Sequence, residues 1–218
     1  MNIFSKKNPD EKYVGAVRRG AAVSIDVWIV LMMRIMVMQI LGKLWMEPQL
    51  IKFFTEFQQT FGTESIKDTP EHLNFLLHHS IFIQAIIFYF IVLMIGALYH
   101  AYLNSSAWQG TIGKRLMKII MVKENGMPIT FKRGLLHYFL SLLPFVFLLY
   151  LLSYQIRNEL TFYQAIMSSQ INILLGVLFV MWVQIHLFTK KRTTAYDLIC
   201  NTLIINGKTS FKWPWSKN

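Results

Sequence analysis

Acidic residues are scarce in this chain. Of 218 residues only 11 are Asp or Glu, against 22 Lys or Arg, and the two signs together make up 15%. Soluble domains carry about 25% charged residues, so the chain is short of the polar surface that a water-facing fold requires. Cysteine occurs once, at Cys200, which excludes a disulfide scaffold. The low charge, set beside 54% hydrophobic residues, excludes disorder. What is present is an oily chain with a formal net charge of +11. Both properties fit if the apolar residues lie in lipid and the cations gather in the connecting segments. The length suits one bundle, a single domain over residues 1–218.

Four stretches are long enough to cross a bilayer, which takes about 20 apolar residues. They cover residues 21–41, 80–103, 135–153 and 171–188. The first is too long for a signal-peptide core, contains Asp26 and Arg34, and has no small-residue cleavage site after it, so a retained anchor is expected. Lys and Arg in the loops set the orientation. The N-terminal segment holds Lys6, Lys7, Lys12, Arg18 and Arg19; the second-to-third connection holds Lys114, Arg115, Lys118, Lys123, Lys132 and Arg133. The segment after the fourth stretch holds Lys190, Lys191, Arg192, Lys208, Lys212 and Lys217. The other two connections share only Lys43, Lys52, Lys67 and Arg157. Seventeen cations against four predict that both termini face the cytoplasm. The expected fold is therefore an all-α integral membrane protein, a four-helix transmembrane bundle with N-in/C-in topology. Such basic juxtamembrane loops suit anionic lipid headgroups, and nucleic acid is not expected as a partner.

The connections carry their own signals. Pro48 followed by Leu50, Phe54, Phe57 and Phe61 predicts an outer amphipathic helix over 48–61, ended by Gly62. Thr69-Pro70-Glu71 predicts an early start for the second helix, so that one helix runs on to Leu103. Thr161 and Gln164 have capping-box spacing, an early start for the fourth. Pro144 should bend the third. Ile119 to Val122 and Ile129 to Phe131 flank Asn125-Gly126, which predicts a cytoplasmic hairpin over 118–131. A similar run, Thr202 to Ile205, is expected to join it in a small β element.

Asp26 is the residue with most chemistry to offer, because a carboxylate within a span costs about 2.5–3.5 kcal/mol on insertion scales. Arg19, seven residues earlier, shares its helical stripe. Arg34 is eight residues beyond Asp26 and about 12 Å along the axis, too far for a direct bond within the helix. Each charge then needs a partner from another element. The readings are a cation or proton site, or a buried polar latch between helices. His100, His137 and His186 fall near the cytoplasmic ends of three spans and would form a supporting polar layer with Asp26 and Arg34. The alternative is that each histidine satisfies itself with interfacial water or backbone. His72 and His79 share a helical face but make too few ligands for a metal site. Gly110-Thr111-Ile112-Gly113-Lys114-Arg115 falls short of a phosphate-loop pattern, since two residues separate the glycines and Arg follows Lys. With no nucleophile elbow, zinc-protease pair or carboxylate dyad, neither enzymatic activity nor a cofactor is expected.

The run Arg19-Gly-Ala-Ala22-Val-Ser-Ile25-Asp26 resembles the signature of the RDD family, small prokaryotic membrane proteins named for one arginine and two aspartates. The segment Gly110 to Leu116, with the Asn125-Gly126 turn after it, is similar to the family's central loop. The resemblance implies that Asp197 is the second aspartate. Two positions depart from the family pattern. Tyr196 stands where a histidine is frequent, which removes a candidate proton carrier, and Ile112 stands where proline is frequent, a change expected to be conformational only. The resemblance implies residence in the prokaryotic inner membrane and solute or cation transport, with cation/proton exchange for some members. Joined to the residues above, it makes Asp26 the expected binding carboxylate and Arg19 with Asp197 a charged gate. Four spans are few for a carrier, so a homo-oligomer is expected. The alternative is an accessory or regulatory subunit docked on a larger membrane protein, with Arg19 and Asp197 as a latch.

Overall fold

A bilayer interior offers no partner for backbone N–H and C=O groups, so apolar stretches of this length fold as helices that satisfy themselves. The computed structural model follows that rule and describes residues 13–62, 69–158, 161–185 and 189–207. Helix α1 (Ala16–Leu41) passes through a π-helical turn (Gly42–Met46) into α2 (Glu47–Phe61). The rod is unbroken for 46 residues, so the helix expected over 48–61 does not start afresh. Pro48 sits in the first turn of α2, where its missing N–H is tolerated, and Glu47 N–H donates five residues back to the Gly42 carbonyl.

After Thr69, whose Oγ1 accepts from His72 N–H, α3 (Pro70–His78) ends at His79, and α4 (Ser80–Ser105) begins. One helix from 69 to 103 is thus divided. His79 adopts an extended ψ of 142°, and its Nδ1 takes the N–H of Ile81 as the helix restarts. The following elements are α5 (Ile112–Leu116), β1 (Ile119–Lys123), α6 (Phe131–Arg157), α7 (Phe162–Met167), α8 (Gln170–Gln184), α9 (Ala195–Ile199) and β2 (Thr202–Asn206). The Thr161–Gln164 capping box forms, but it caps the short α7; Ser169 then caps α8 separately by accepting from Asn172 N–H at 3.1 Å.

Among the described residues three helices are long and apolar enough to cross a membrane: the α1–α2 rod, α4, and residues Phe131–Gln155 of α6. Most of their apolar surface is exposed, as expected of helices solvated by lipid tails. The described part of α8 has 15 residues, about 22 Å of helix, less than a hydrocarbon core. Residues 186–188 of the expected fourth stretch lie outside the described residues.

Strands β1 and β2 pair antiparallel, with Met121 opposite Ile204. The hairpin expected over 118–131 is only half formed. Its turn exists, with Gly126 at φ 82° donating to the Lys123 carbonyl at 2.9 Å. The returning arm gives one isolated bridge, Val122 to Pro128, because Phe131 already belongs to α6. The ladder partner is β2, from the far end of the chain.

The chain divides into two compact units. In the unit Val27–Gly96, Phe53 and Phe57 are buried, and Phe57 and Phe61 pack their rings on His72 of α3 at 4.9 and 4.5 Å. The inward stripe of α2 is thus Phe53, Phe57 and Phe61, whereas Leu50 and Phe54 of the expected stripe are exposed. In the other unit, described over residues 13–26, 97–158, 161–185 and 189–207, the core joins Val14, Ala22, Ile119, Met121, Ile129 and Ile204.

Candidate functional site

Asp26 is 1% exposed, and each of its oxygens is occupied by a neutral donor. Tyr99 Oη–H of α4 reaches Oδ1 at 2.7 Å, and the Gly113 N–H at the start of α5 reaches the same oxygen at 2.8 Å. The Thr111 hydroxyl donates to Oδ2. A carboxylate offers about four lone-pair positions, so three donors nearly complete its shell. The approach of α5 requires glycine at 113: a Cβ there would lie 2.2 Å from the Ala22 carbonyl oxygen and 2.9 Å from Asp26 Cγ. Ile112 also has a use that sequence did not reveal. Its N–H, which proline lacks, donates to Tyr99 Oη at 3.2 Å, so a chain of donors runs from Ile112 through Tyr99 to Asp26.

Asp197 is 0% exposed and is held instead by a guanidinium and an imidazole. Arg19 Nη1 lies 3.2 Å from Oδ2, and His137 Nε2 of α6 lies 2.9 Å from Oδ1. The Thr194 N–H donates to Oδ2 at 3.0 Å in a capping box that starts α9, and Thr202 Oγ1 donates to Oδ1 at 3.3 Å. Burial alone would raise the pKa of this carboxyl. The hydrogen bond from His137, with the charge of Arg19 and the Thr194 N–H, outweighs burial and holds it well below the usual carboxylate range. Tyr196 packs edge-on against the His137 ring at 4.8 Å. The imidazole that meets Asp197 thus comes from α6.

Lys114 is the residue that sequence reasoning misplaced. By sequence it belongs to the basic second-to-third connection, yet it is 8% exposed, and Arg115 beside it is 9% exposed. Lys114 Nζ donates to Asn104 Oδ1 of α4 at 3.0 Å, a neutral acceptor. Burial lowers its pKa to about 8, opposed by the charges of Asp26 and Asp197. Arg19, also counted as a loop cation, is 11% exposed, and its Nε and Nη2 are buried without a hydrogen-bond partner among the described residues.

The remaining candidates disperse. Arg34 Nε donates to the Val92 carbonyl at 3.2 Å within the unit Val27–Gly96. The His100 ring stacks on Tyr138 at 5.1 Å and meets Tyr99 edge-on at 5.1 Å. His186 lies outside the described residues. Of the seven residues singled out from sequence, Arg19, Asp197 and His137 form one direct cluster, and Asp26 forms a second with Tyr99, Thr111 and Gly113. One stripe of α1 thereby fastens α9 through Arg19 and α5 through Asp26, two helical turns apart.

A family model described as the RDD family matches residues 13–201, a segment that contains every residue of both clusters. No curated protein and no solved structure matches the chain.

Proposed function

The chain belongs to the RDD family, and on that premise we propose that it exchanges a small cation for a proton across the membrane, with Asp26 as the cation-binding carboxylate. The integral membrane character rests on the apolar helices α1, α4 and α6. In this reading α8 is the fourth span, both termini lie in the cytoplasm, and the membrane is a prokaryotic inner membrane. The seventeen-to-four distribution of cations supports the orientation.

The observation that carries the reading is the buried ammonium of Lys114, hydrogen-bonded to a neutral amide with two buried carboxylates in electrostatic range. A network built for stability alone would place that ammonium directly on a carboxylate, because an indirectly balanced buried charge is costly. Asp26, Asp197, Arg19 and Lys114 together carry a formal charge of zero. When Lys114 releases its proton, that balance fails by one positive charge. A small cation at Asp26 restores it, and its ligands are oxygens: the carboxylate and the hydroxyls of Tyr99 and Thr111. Such hard donors select alkali or alkaline-earth cations over soft metals. One proton leaves for each unit of charge that enters.

The test is a panel of alkali and alkaline-earth gradients imposed on proteoliposomes carrying an internal pH dye. We expect wild-type protein to convert at least one gradient into proton flux, Asp26→Asn to abolish it, and Lys114→Met to abolish exchange. No flux with any cation, or equal flux in Asp26→Asn and wild type, overturns the assignment.

A second reading is favoured by one specific observation. Arg19 and Asp197 join positions 178 residues apart, as a latch of an accessory subunit would. In that case the double variant Arg19→Asp with Asp197→Arg should recover the abundance lost in each single variant, and the panel above should show no flux.

A further inference from the structure

The unit Val27–Gly96 contains a cavity of about 610 Å3 that the exchange reading does not use. It opens where the π-helical turn leads into α2, and residues of α3 and α4 complete its wall. π-Helical turns are rare and concentrate at functional sites. The wall is braced by a hydrogen-bond chain from Trp45 Nε1–H to Gln84 Oε1 and from Gln84 Nε2–H to Gln49 Oε1, each 3.2 Å. The Trp45 ring also meets Phe88 edge-on at 6.3 Å. These contacts tie the turn and α2 to α4, so the cavity is formed before any ligand arrives.

Its lining is apolar and aromatic, with Met46, Phe53, Phe82, Phe88 and Tyr89, and it carries a single formal charge, Glu47. Glu47 is exposed and makes no ion pair among the described residues. Glu56, nine residues further along α2, is by contrast satisfied by Lys52 at 3.8 Å and His79 at 3.1 Å. An acyl chain would fill the apolar volume but offer the Glu47 carboxylate no partner. A metal ion would find one carboxylate and no further hard ligand. A molecule with an apolar aromatic body and one positive charge satisfies both parts, since aromatic faces attract cations and the carboxylate neutralises the charge.

We infer that this cavity binds a lipophilic organic cation, with its hydrocarbon body among Phe53, Phe82 and Phe88 and its charge toward Glu47. The inference is independent of the ion exchange proposed above, because it uses neither Asp26 nor Lys114.

Tetraphenylphosphonium and tetraphenylborate have the same shape and opposite charge, which makes them suitable probes for equilibrium dialysis on the purified full chain in detergent. The phosphonium should bind saturably and more tightly than the borate. Glu47→Gln should weaken phosphonium binding about fivefold, the effect of one partly exposed ion pair. Glu47→Asp should retain most of it, and Ala85→Leu, which narrows the cavity, should abolish it with melting temperature unchanged. Equal affinity for the two probes would overturn the inference in favour of a plain lipid-tail groove. An absence of phosphonium binding, or unaltered binding in a folded Glu47→Gln variant, would overturn it as well.

Discussion

Asp26 and Asp197 are both removed from solvent, at 1% and 0% exposed, yet their surroundings are opposite in kind. Asp26 is held by two hydroxyls and a backbone N–H, none of which carries charge. Asp197 is held by a guanidinium and an imidazole, in addition to a helix cap. The difference separates fixing a carboxylate from keeping it available. Neutral donors stabilise the anion without cancelling its charge, and hydroxyls can rotate to offer lone pairs instead. A guanidinium cancels the charge and cannot lose its proton. Asp197 is thus a fastening, whereas Asp26 retains an uncancelled charge within reach of a titratable lysine.

The largest break in this comparison is expected from Asp197→Ala. It leaves Arg19 and His137 facing no anion, which costs about 3–5 kcal/mol for a broken buried pair. Thermal melting in detergent should show it, and an unchanged melt would end the distinction. The pH sign follows from the lowered folded-state value of Asp197. Its contribution is complete above the ordinary carboxylate range and is lost only as pH falls through the lower folded value. Acid unfolding should therefore move to higher pH in Arg19→Ala.

Lys114 comes next. Its pKa drops from 10.5 to about 8 on folding, so between those values the folded chain binds fewer protons than the unfolded one. Stability should therefore rise with pH across that window, by about 3 kcal/mol at 1.36 kcal/mol per pH unit. Lys114→Met should flatten the rise and exceed wild type in stability at pH 7. A parallel rise in both would show that another group titrates.

Gly113→Ala follows, with an expected loss of about 1–3 kcal/mol from overpacking against the Ala22 carbonyl. It should also detach the α5 N–H from Asp26, visible as faster amide exchange at residue 113. The smallest stability effect belongs to Asp26→Asn, about 1.5 kcal/mol, the lower value for hydrogen bonds to a charged group. The amide keeps one acceptor oxygen for Tyr99 and Gly113, while its NH2 can donate to a rotated Thr111 hydroxyl. A variant that melts close to wild type but carries no flux would sharpen the comparison most.

The three long apolar helices were legible in sequence because a hydrophobic run in lipid has one backbone solution. Arg19, Asp26 and Asp197 were legible as well, two from charge on one helical stripe and one from resemblance. Interruptions were not. His79 and the Ser168-Ser169 pair divide helices without a proline or glycine, and apolar periodicity does not register a break of one or two residues. Lys114 was hidden by its neighbours, since Arg115 and Lys118 made it one of a basic run that topology alone explains. Tyr99 and Asn104 lie in an apolar helix where single polar residues attract no notice until a partner is known. The pairing of β1 with β2 depends on chain closure over a long distance, which local branched-residue patterns do not encode.

The order in which these contacts become available in time is also set by their spacing. The most distant donor of Asp26, Gly113, is 87 residues away, so that cluster can assemble while the second half of the chain is still being synthesised. Arg19 must wait for Asp197, 178 residues later, and β1 must wait for β2. A nascent chain therefore holds Arg19 without this partner until α9 has been made. The Arg19–Asp197 contact therefore closes only after all of the intervening chain has been made.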